Sequence, residues 1–189
     1  MYIDVSMLDC QIAILENAIA RYLSKNEIPK PMGSRHPSIA PFEAFKTKDS
    51  HIIIAAGNDK LFENLCNFLK ISEVSKDSKF DTNSKRSENM EELKNILESK
   101  LKDKTTSEWV KGMEELKIPC GPIFNIKEAV DNPQIKERNM IVKSFHKIVG
   151  EFRTAGNPIK MSSYNDSSIR GDIPDLDEHR DKIIKEFCN

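Results

Sequence analysis

The chain has 189 residues, 38% of them hydrophobic and 31% charged, and a formal net charge of −1. So small a net charge gives no support for a nucleic-acid or membrane-surface partner through bulk electrostatics. No apolar run approaches the roughly 20 residues that a membrane-spanning helix needs. The first residues, MYIDVSMLD, carry acids where a secretory signal carries lysines. The sequence therefore predicts a cytoplasmic protein that binds neither nucleic acid nor membrane.

An apolar stripe runs through the first 25 residues. Apolar residues at positions 5, 8, 12, 15, 19 and 22 recur at spacings of three and four, which predicts one long amphipathic helix over 1–25. The stripe is wide enough to need cover from a neighbouring structure. The stretch PKPMGSRHPSIAPF, residues 29–42, contains four prolines and is predicted to be an extended loop.

Residues 42–116 predict a β-hairpin followed by helices. Strands are expected over 42–47 and 51–56, around a turn at 48–50. The polar residues 72–88 are predicted to form a loop anchored by Phe80. Three helices are expected to begin near Asp59, near Met90 and at a cap formed by Thr106. Their inward-facing residues are predicted to be Leu61, Leu65, Phe68, Leu69, Met90, Leu93, Ile96, Leu97, Leu101, Trp109, Met113 and Leu116.

The remainder of the chain predicts short elements. Strands are expected over 121–124, 141–146, 151–155 and 158–161, and short helices at 126–130 and after Asn132-Pro133. A loop is expected over 162–175, and a closing helix with Ile183, Ile184 and Phe187 facing inward. Strands cluster in the middle of the chain without strict alternation with helices. This pattern predicts an α+β fold: a long N-terminal helix, a small antiparallel sheet covered by helices and a C-terminal helical extension.

The loop residues Gly33, Arg35, His36 and Pro37 are the strongest candidate site. They place a guanidinium and an imidazole on a segment that proline stiffens. Arginine binds carboxylate or phosphate bidentately, and histidine transfers protons near neutral pH. A linker that happens to be polar explains the same residues, and both interpretations stay open.

Other reactive residue types give weaker signals. Cys120 has no histidine nearby in the sequence and lies in the proline-rich stretch IPCGP, so it is interpreted as structural. The turn Ala56-Gly57-Asn58-Asp59 is interpreted as a helix cap, because Asp59 would repel an anion there. The cysteines and histidines show no metal-ligand spacing, so no metal site is predicted and the thiols are expected to be reduced.

Several stretches taken together resemble the class III CoA-transferases, the CaiB/BaiF family. The resemblance follows the order and spacing of these segments: IDVSMLDCQIAIL, MGSRHPSIAPFEAFKTKDSHIIIAAGNDKLFENLC, KFDTNSKRSEN, TTSEWVKGMEELKIPCGPIFNIKEAVDNPQIKERNM and GNPIKMS. It covers the whole chain but only the C-terminal portion of a family member. In the family IPCGP is a hallmark of the small domain, which agrees with a structural Cys120.

The resemblance implies an activity whose central residue is not in this chain. Family members move coenzyme A between an acyl-CoA thioester and a carboxylic acid. An aspartate attacks the acyl-CoA, which gives a mixed anhydride and then an aspartyl-CoA thioester. That aspartate belongs to an N-terminal Rossmann-like domain with no counterpart here, so no catalytic residue is assigned and neither Asp4 nor Asp9 takes the role. Coenzyme A and its acyl thioester are implied as substrates, with no covalently bound cofactor.

The resemblance also implies a domain organisation. Residues 1–25 are the helix leaving the large domain, 26–40 a linker, 41–125 the small domain, and 126–189 a return segment toward the large domain. Full-length relatives form interlocked dimers, so a homodimer or a partner chain carrying the N-terminal half is expected. The loop around Gly33 is near the active site in the family.

In the formyl-CoA transferase branch of the family the loop is a glycine-rich flap, and this role cannot be carried over to the sequence SRHPSIAP.

Two alternatives to a CoA-transferase remain open from the sequence. Ser50 and Asn139 replace turn glycines, which fits a non-catalytic, self-associating remnant of the family. The α-methylacyl-CoA racemases share the fold, and their catalytic pair would also lie outside this chain.

Overall fold

The computed structural model describes residues 4–188. The chain divides into two compact units, one up to Ile123 and one from Phe124 onward, and each is described by itself. None of the helices described within residues 4–188 combines the length and the apolar character that a membrane span requires.

The first unit begins with two helices rather than one. The helix α1 covers Met7–Ile14 and α2 covers Glu16–Lys25. Leu15 leaves the helical conformation because its N–H bonds to the carbonyl of Ile12, three residues back, which closes α1. The prediction of a single helix is therefore wrong at this point. The apolar stripe is exposed within the described residues: Val5, Leu8, Ile12, Leu15 and Tyr22 are all between 43% and 70% accessible.

A three-stranded antiparallel sheet forms the centre of the first unit. The strands are β1 (Phe42–Lys46), β2 (His51–Ala55) and β3 (Cys120–Pro122), in the order β1-β2-β3. The predicted hairpin is confirmed, and Phe45 pairs with Ile52 in its register. The third strand begins one residue earlier than expected and places Cys120 opposite Ile54.

Helices cover this sheet. They are α3 (Asp59–Phe68), α4 (Asn83–Glu88), α5 (Met90–Leu101) and α6 (Thr106–Glu115), with a 3-10 turn over Val74–Lys76. The hydrophobic core lies between helices and sheet and includes Phe45, Ile52, Ile54, Phe62, Leu65, Phe80, Leu93, Leu97, Leu101 and Met113. Phe80 is buried as predicted. Leu116, expected to face inward, is 46% exposed.

Two local expectations in this region are corrected. The N-cap of α6 is Thr105 rather than Thr106, and it forms a capping box with Glu108. Residues 72–88 are not an uninterrupted loop, because they contain the 3-10 turn and α4. The side chain of Thr82 caps α4 by accepting a hydrogen bond from the N–H of Lys85. The segment lacks an apolar stripe and therefore carries no periodic signal for a helix.

A carboxylate ties the hairpin turn to the start of α6. Oδ1 of Asp49 accepts hydrogen bonds from the backbone N–H of Thr106 at 2.8 Å, from its hydroxyl at 3.0 Å and from the hydroxyl of Thr47 at 3.2 Å. These bonds, chiefly the one from the Thr106 N–H, lower the pKa of Asp49 below its ordinary value of 3.8. The folded state therefore favours the ionised carboxylate.

The Asp49 contacts predict a pH-dependent stability. Their stabilisation is present above pH 3.8, the ordinary value, and is lost as the pH falls through the lowered pKa. Asp49→Ala should lower the urea midpoint at pH 7, and the difference from the unchanged protein should shrink at about pH 3. Asp103→Ala, which removes an exposed carboxylate from the end of α5, is the control. An Asp49→Ala effect equally large at both pH values would contradict the assignment.

The second unit is built on a mixed three-stranded sheet. Two short helices precede it, α7 (Ile126–Asp131) and α8 (Pro133–Glu137), and α9 (Arg180–Phe187) follows it. The capping of α8 by Asn132, with Pro133 in its first turn, is confirmed. The strands β4 (Ile141–His146), β5 (Gly150–Ala155) and β6 (Ile169–Asp172) lie in the order β5-β4-β6. The pair β4–β5 is antiparallel and the pair β4–β6 is parallel.

Three predictions for the second unit are corrected. Residues 158–161 do not form a strand, and the third strand is β6, inside the stretch expected to be loop. Its sequence, IRGD, has no apolar alternation that would have indicated it. The closing helix is present as α9, but the side chains predicted to face inward are exposed in the described residues: Ile183 at 51%, Ile184 at 47% and Phe187 at 73%.

Candidate functional site

The candidate residues lie in the segment from Gly33 to Pro41, called here the 33–41 loop, which leads directly into β1. Gly33 adopts a left-handed φ of +64° that glycine accepts without strain. The hydroxyl of Ser34 accepts a hydrogen bond from the N–H of Ala44 at 3.1 Å. Pro37 is half-buried, and so are Arg35 and His36. The loop is therefore fastened to the first strand at its beginning as well as at its end.

His36 has a defined orientation. Its ring stacks on Phe42 with 5.2 Å between ring centroids and an interplanar angle of 10°. The backbone N–H of His36 donates to the backbone carbonyl of Phe42 at 2.9 Å. The ring atom Nδ1 accepts a hydrogen bond from the backbone N–H of Ser38 at 3.2 Å. An accepting Nδ1 places the proton of the neutral imidazole on Nε2. His36 thus offers a single donor, Nε2–H, to a ligand.

Arg35 is anchored at one end of its guanidinium. Its Nη2 donates to the backbone carbonyl of Ser87 in α4 at 2.6 Å. Within residues 4–188, Nε and Nη1 of Arg35 make no hydrogen bond and the side chain has no acidic partner. The side chain is held in place while part of its fork remains available, which suits it to bind a carboxylate or phosphate oxygen.

Helix α4 clamps the second half of the loop. The Asn83 side chain accepts from the N–H of Ala40 at 3.0 Å and donates to the carbonyl of Ser38 at 2.8 Å. Nε of Arg86 donates to the carbonyl of Ala40 at 2.7 Å. Together with the contact of Arg35 to Ser87, three residues of α4 hold three residues of the loop. The loop is a fixed structure with several simultaneous restraints.

Arg86 is the centre of this clamp and is completely buried. Besides Ala40, its guanidinium donates to the carbonyl of Phe80 at 3.1 Å and to Oδ1 of Asp59 at 2.8 Å. It also lies over the ring of Phe62, 4.6 Å from the centroid. Sequence reasoning missed Arg86 because it lies in the stretch predicted to be polar loop. The only local signal was Thr82, a residue type favoured as an N-cap, just before α4.

The strand-to-helix turn before α3 also contacts the loop. Asn58 is the N-cap of α3 and accepts from the N–H of Leu61 at 2.8 Å, so the predicted capping role of this turn is confirmed. Gly57 lies directly beneath Ile39 of the loop. A Cβ at Gly57 would lie 2.2 Å from Cγ2 of Ile39, closer than real Cβ contacts. The lack of a side chain at Gly57 thus permits Ile39 to pack.

The cysteines are not arranged for catalysis. All four are free thiols: Cys10 and Cys188 are exposed, Cys66 is buried and Cys120 is half-buried. Burial raises the pKa of Cys66 to about 12. Burial, with the nearby charge of Glu114, also raises the pKa of Cys120. A raised pKa keeps the thiol protonated and unreactive, which supports the structural interpretation of Cys120. In the described part of the chain, no group of three or more His, Cys, Asp or Glu residues could hold a metal ion.

These environments predict an order of cysteine alkylation. With iodoacetamide at pH 8, Cys10 and Cys188 should be modified first, Cys120 more slowly and Cys66 last, because the thiolate is the reacting species. Peptide mass spectrometry over a time course measures the order, and a urea-unfolded sample, in which all four should react alike, is the control. Modification of Cys66 or Cys120 as fast as Cys10 in the folded protein would contradict it.

The sequence and the fold agree with one protein family. The model of CoA-transferase family III matches residues 1–180, and the chain belongs to that family. It is 36% identical over 187 residues to the acetyl-CoA:oxalate CoA-transferase of Acetobacter aceti, covering 99% of this chain and 47% of that protein. It is 34% identical over 186 residues to the human succinyl-CoA:glutarate CoA-transferase, covering 98% of this chain and 42% of that protein. The chain thus spans about half the length of these relatives.

A solved structure supports the same family assignment. The crystal structure of a CaiB/BaiF family protein from Brucella suis superposes with a TM-score of 0.76 at 33% sequence identity. The match covers 98% of this chain and 48% of that one. The family resemblance drawn from the sequence segments is therefore confirmed.

Proposed function

We propose that this chain forms the C-terminal portion of a CoA-transferase, which moves coenzyme A from an acyl-CoA thioester to a carboxylic acid. The match of the family model to residues 1–180 carries this proposal. The names of the relatives, which are transferases for oxalate and for glutarate, support carboxylic acids as acceptors. The chain is proposed to be inactive alone.

The proposed reaction passes through an aspartyl intermediate supplied by residues outside this chain. The aspartate carboxylate attacks the thioester carbonyl and releases the CoA thiolate, which leaves a mixed anhydride. The thiolate then attacks the aspartyl carbonyl, releases the first acid and forms an aspartyl-CoA thioester. Attack by the acceptor carboxylate and return of the thiolate give the new acyl-CoA and restore the aspartate. None of these steps is assigned to a residue of this chain.

The proposed contribution of this chain is the 33–41 loop. Gly33 and Pro37 shape it, and Arg35 and His36 provide donors to an anionic or carbonyl group of the CoA-bearing substrate. The anchoring of the loop by α4 supports this role, because donors held before binding cost less conformational entropy when the substrate arrives.

The domain organisation that the family resemblance implies is also proposed for this chain. Residues 1–25 leave the large domain, 26–40 link it to the small domain of 41–125, and 126–189 return toward it. The exposed apolar residues of α1, α2 and α9 suit cover by a second copy of the chain or by the chain that carries the aspartate. The four free thiols suit the reducing conditions of the cytoplasm.

Calorimetric titration with coenzyme A and succinyl-CoA tests the loop assignment. We expect saturable binding that Arg35→Gln weakens about tenfold, the usual effect of losing one charge-assisted hydrogen bond. His36→Gln should weaken it by less, because the removed donor is uncharged when the ring is neutral. Arg138→Gln, at an exposed position of the second unit, is the matched control. No binding, or binding insensitive to both loop variants, would overturn the role of the loop.

A further inference from the structure

A small cavity in the second unit has three cationic side chains among its seven lining residues. It has a volume of about 210 Å³ and lies between α7, α8 and the sheet. Lys136, Lys143 and Arg153 line it together with a single carboxylate, Asp131. The volume is below the roughly 300–1,000 Å³ of pockets for drug-sized ligands, so the cavity suits a small molecule or one group of a larger one.

Two of these cations oppose each other in the sheet. Lys143 of β4 and Arg153 of β5 are direct partners in the antiparallel register. Like charges at directly opposite positions of a sheet repel and destabilise it. An anion bound between them would convert this repulsion into attraction. The arrangement is therefore unfavourable for an empty sheet and favourable for one with a bound anion.

The acidic groups nearby do not neutralise the cluster. Asp131 is 3.4 Å from Nζ of Lys136 and 3.7 Å from Nζ of Lys127, and Glu151 is 3.1 Å from Nζ of Lys143. Arg153 has no acidic partner and no side-chain hydrogen bond within the described residues. Three lining cations thus face two carboxylates, which leaves one positive charge in excess, and Arg153 carries it. A phosphate group has three acceptor oxygens, one for each lining cation.

We propose that this cavity binds the phosphate group of a phosphate monoester. Arg153 offers a planar fork to two phosphate oxygens, and Lys143 and Lys136 reach the group from a second strand and from α8. Val130 and Ile141 supply an apolar wall for the organic part of the ligand. The site lies entirely in the second unit and does not depend on the 33–41 loop or on the proposed transfer of coenzyme A.

Calorimetric titration with phenyl phosphate tests the site. We expect saturable binding that Arg153→Gln weakens at least about tenfold and Lys143→Gln weakens as well, while Arg138→Gln leaves it unchanged. Inorganic phosphate should compete but bind more weakly, because it makes no contact with the apolar wall. Binding of inorganic phosphate equal to that of phenyl phosphate would make free phosphate the ligand and overturn the monoester. Absence of saturable binding, or tighter binding of benzoate or glutarate, would overturn the phosphate site altogether.

A thermal measurement keeps the test informative if binding is weak. Phenyl phosphate should raise the Tm of the unchanged protein and not that of Arg153→Gln, because a ligand stabilises only the state that binds it. Without ligand, Arg153→Gln should have a Tm equal to or above that of the unchanged protein, since the cross-strand repulsion is removed. Equal ligand-induced shifts in the two proteins would count against the site.

Discussion

Replacing Arg86 with methionine is expected to lower the free energy of unfolding of the first unit by about 2–6 kcal/mol, because two buried carbonyls lose their donor. The substitution keeps much of the side-chain volume but removes every donor. The carbonyls of Ala40 and Phe80 then lose their hydrogen bonds from a guanidinium that is fully buried. Each buried acceptor left unpaired costs about 1–3 kcal/mol. Asp59 loses its partner too, but its side chain is 70% exposed and water replaces the contact.

Fluorescence of the single tryptophan during urea unfolding measures this effect. Trp109 is buried in the core of the first unit and donates its indole N–H to the carbonyl of Leu101 at 2.6 Å. Arg138→Met, at an exposed site of the second unit, should change stability by no more than about 0.5 kcal/mol. Arg86→Lys keeps the charge but not the three-directional fork, so it should also destabilise. An unfolding midpoint for Arg86→Met equal to that of the control would contradict the claim that the hydrogen bonds of Arg86 stabilise the first unit.

Substituting Gly57 with alanine is expected to destabilise the first unit by about 1–3 kcal/mol, the usual cost of overpacking. The new Cβ would meet Cγ2 of Ile39 at 2.2 Å. Isoleucine is β-branched and has few alternative rotamers, so the loop backbone must move to relieve the contact. The substitution should therefore disturb the 33–41 loop as well as reduce stability.

Two matched variants separate this clash from a general effect of removing glycine. Gly121→Ala places a Cβ where no atom lies within 4 Å, so its stability should change by no more than about 0.5 kcal/mol. In an Ile39→Ala background, Gly57→Ala should cost much less, because the clashing methyl group is gone. Urea unfolding followed by Trp109 fluorescence serves for the unchanged protein, the three single variants and the double variant. Equal costs of Gly57→Ala in the two backgrounds would rule out the contact with Ile39.

The hairpin and the main helices could be predicted because their signals are local. The run HIIIAA and the turn before it specify β2 and its pairing with β1, and apolar spacing specifies α5. Helix α4 and strand β6 could not be predicted in this way. Their sequences have no apolar period, and tertiary contacts hold them: the hydrogen bonds of Arg86 for α4, and parallel pairing with β4 for β6.

The candidate site could be predicted in its residue types but not in its support. The loop residues Arg35 and His36 are recognisable as potential ligands from chemistry alone. The residues that anchor the loop, Ser87 for Arg35 and Asn83 for Ser38, lie about 50 residues away in the chain and bond partly through backbone atoms, for which a single sequence carries no pattern. The inward orientation predicted for Ile183 and Phe187 failed for a related reason. Apolar spacing indicates that a face needs cover but not which structure provides it.

The most direct test of the proposed function is CoA transfer by a chimera. In the acetyl-CoA:oxalate CoA-transferase of Acetobacter aceti, the 187 matched residues would be replaced by those of this chain. A folded chimera is expected to transfer CoA from acetyl-CoA to oxalate, and Arg35→Gln in it should reduce kcat/KM by about tenfold. Arg138→Gln should leave the rate unchanged. A chimera that folds and assembles like the parent enzyme yet forms no oxalyl-CoA would contradict the proposal that this chain supplies the C-terminal portion of a CoA-transferase.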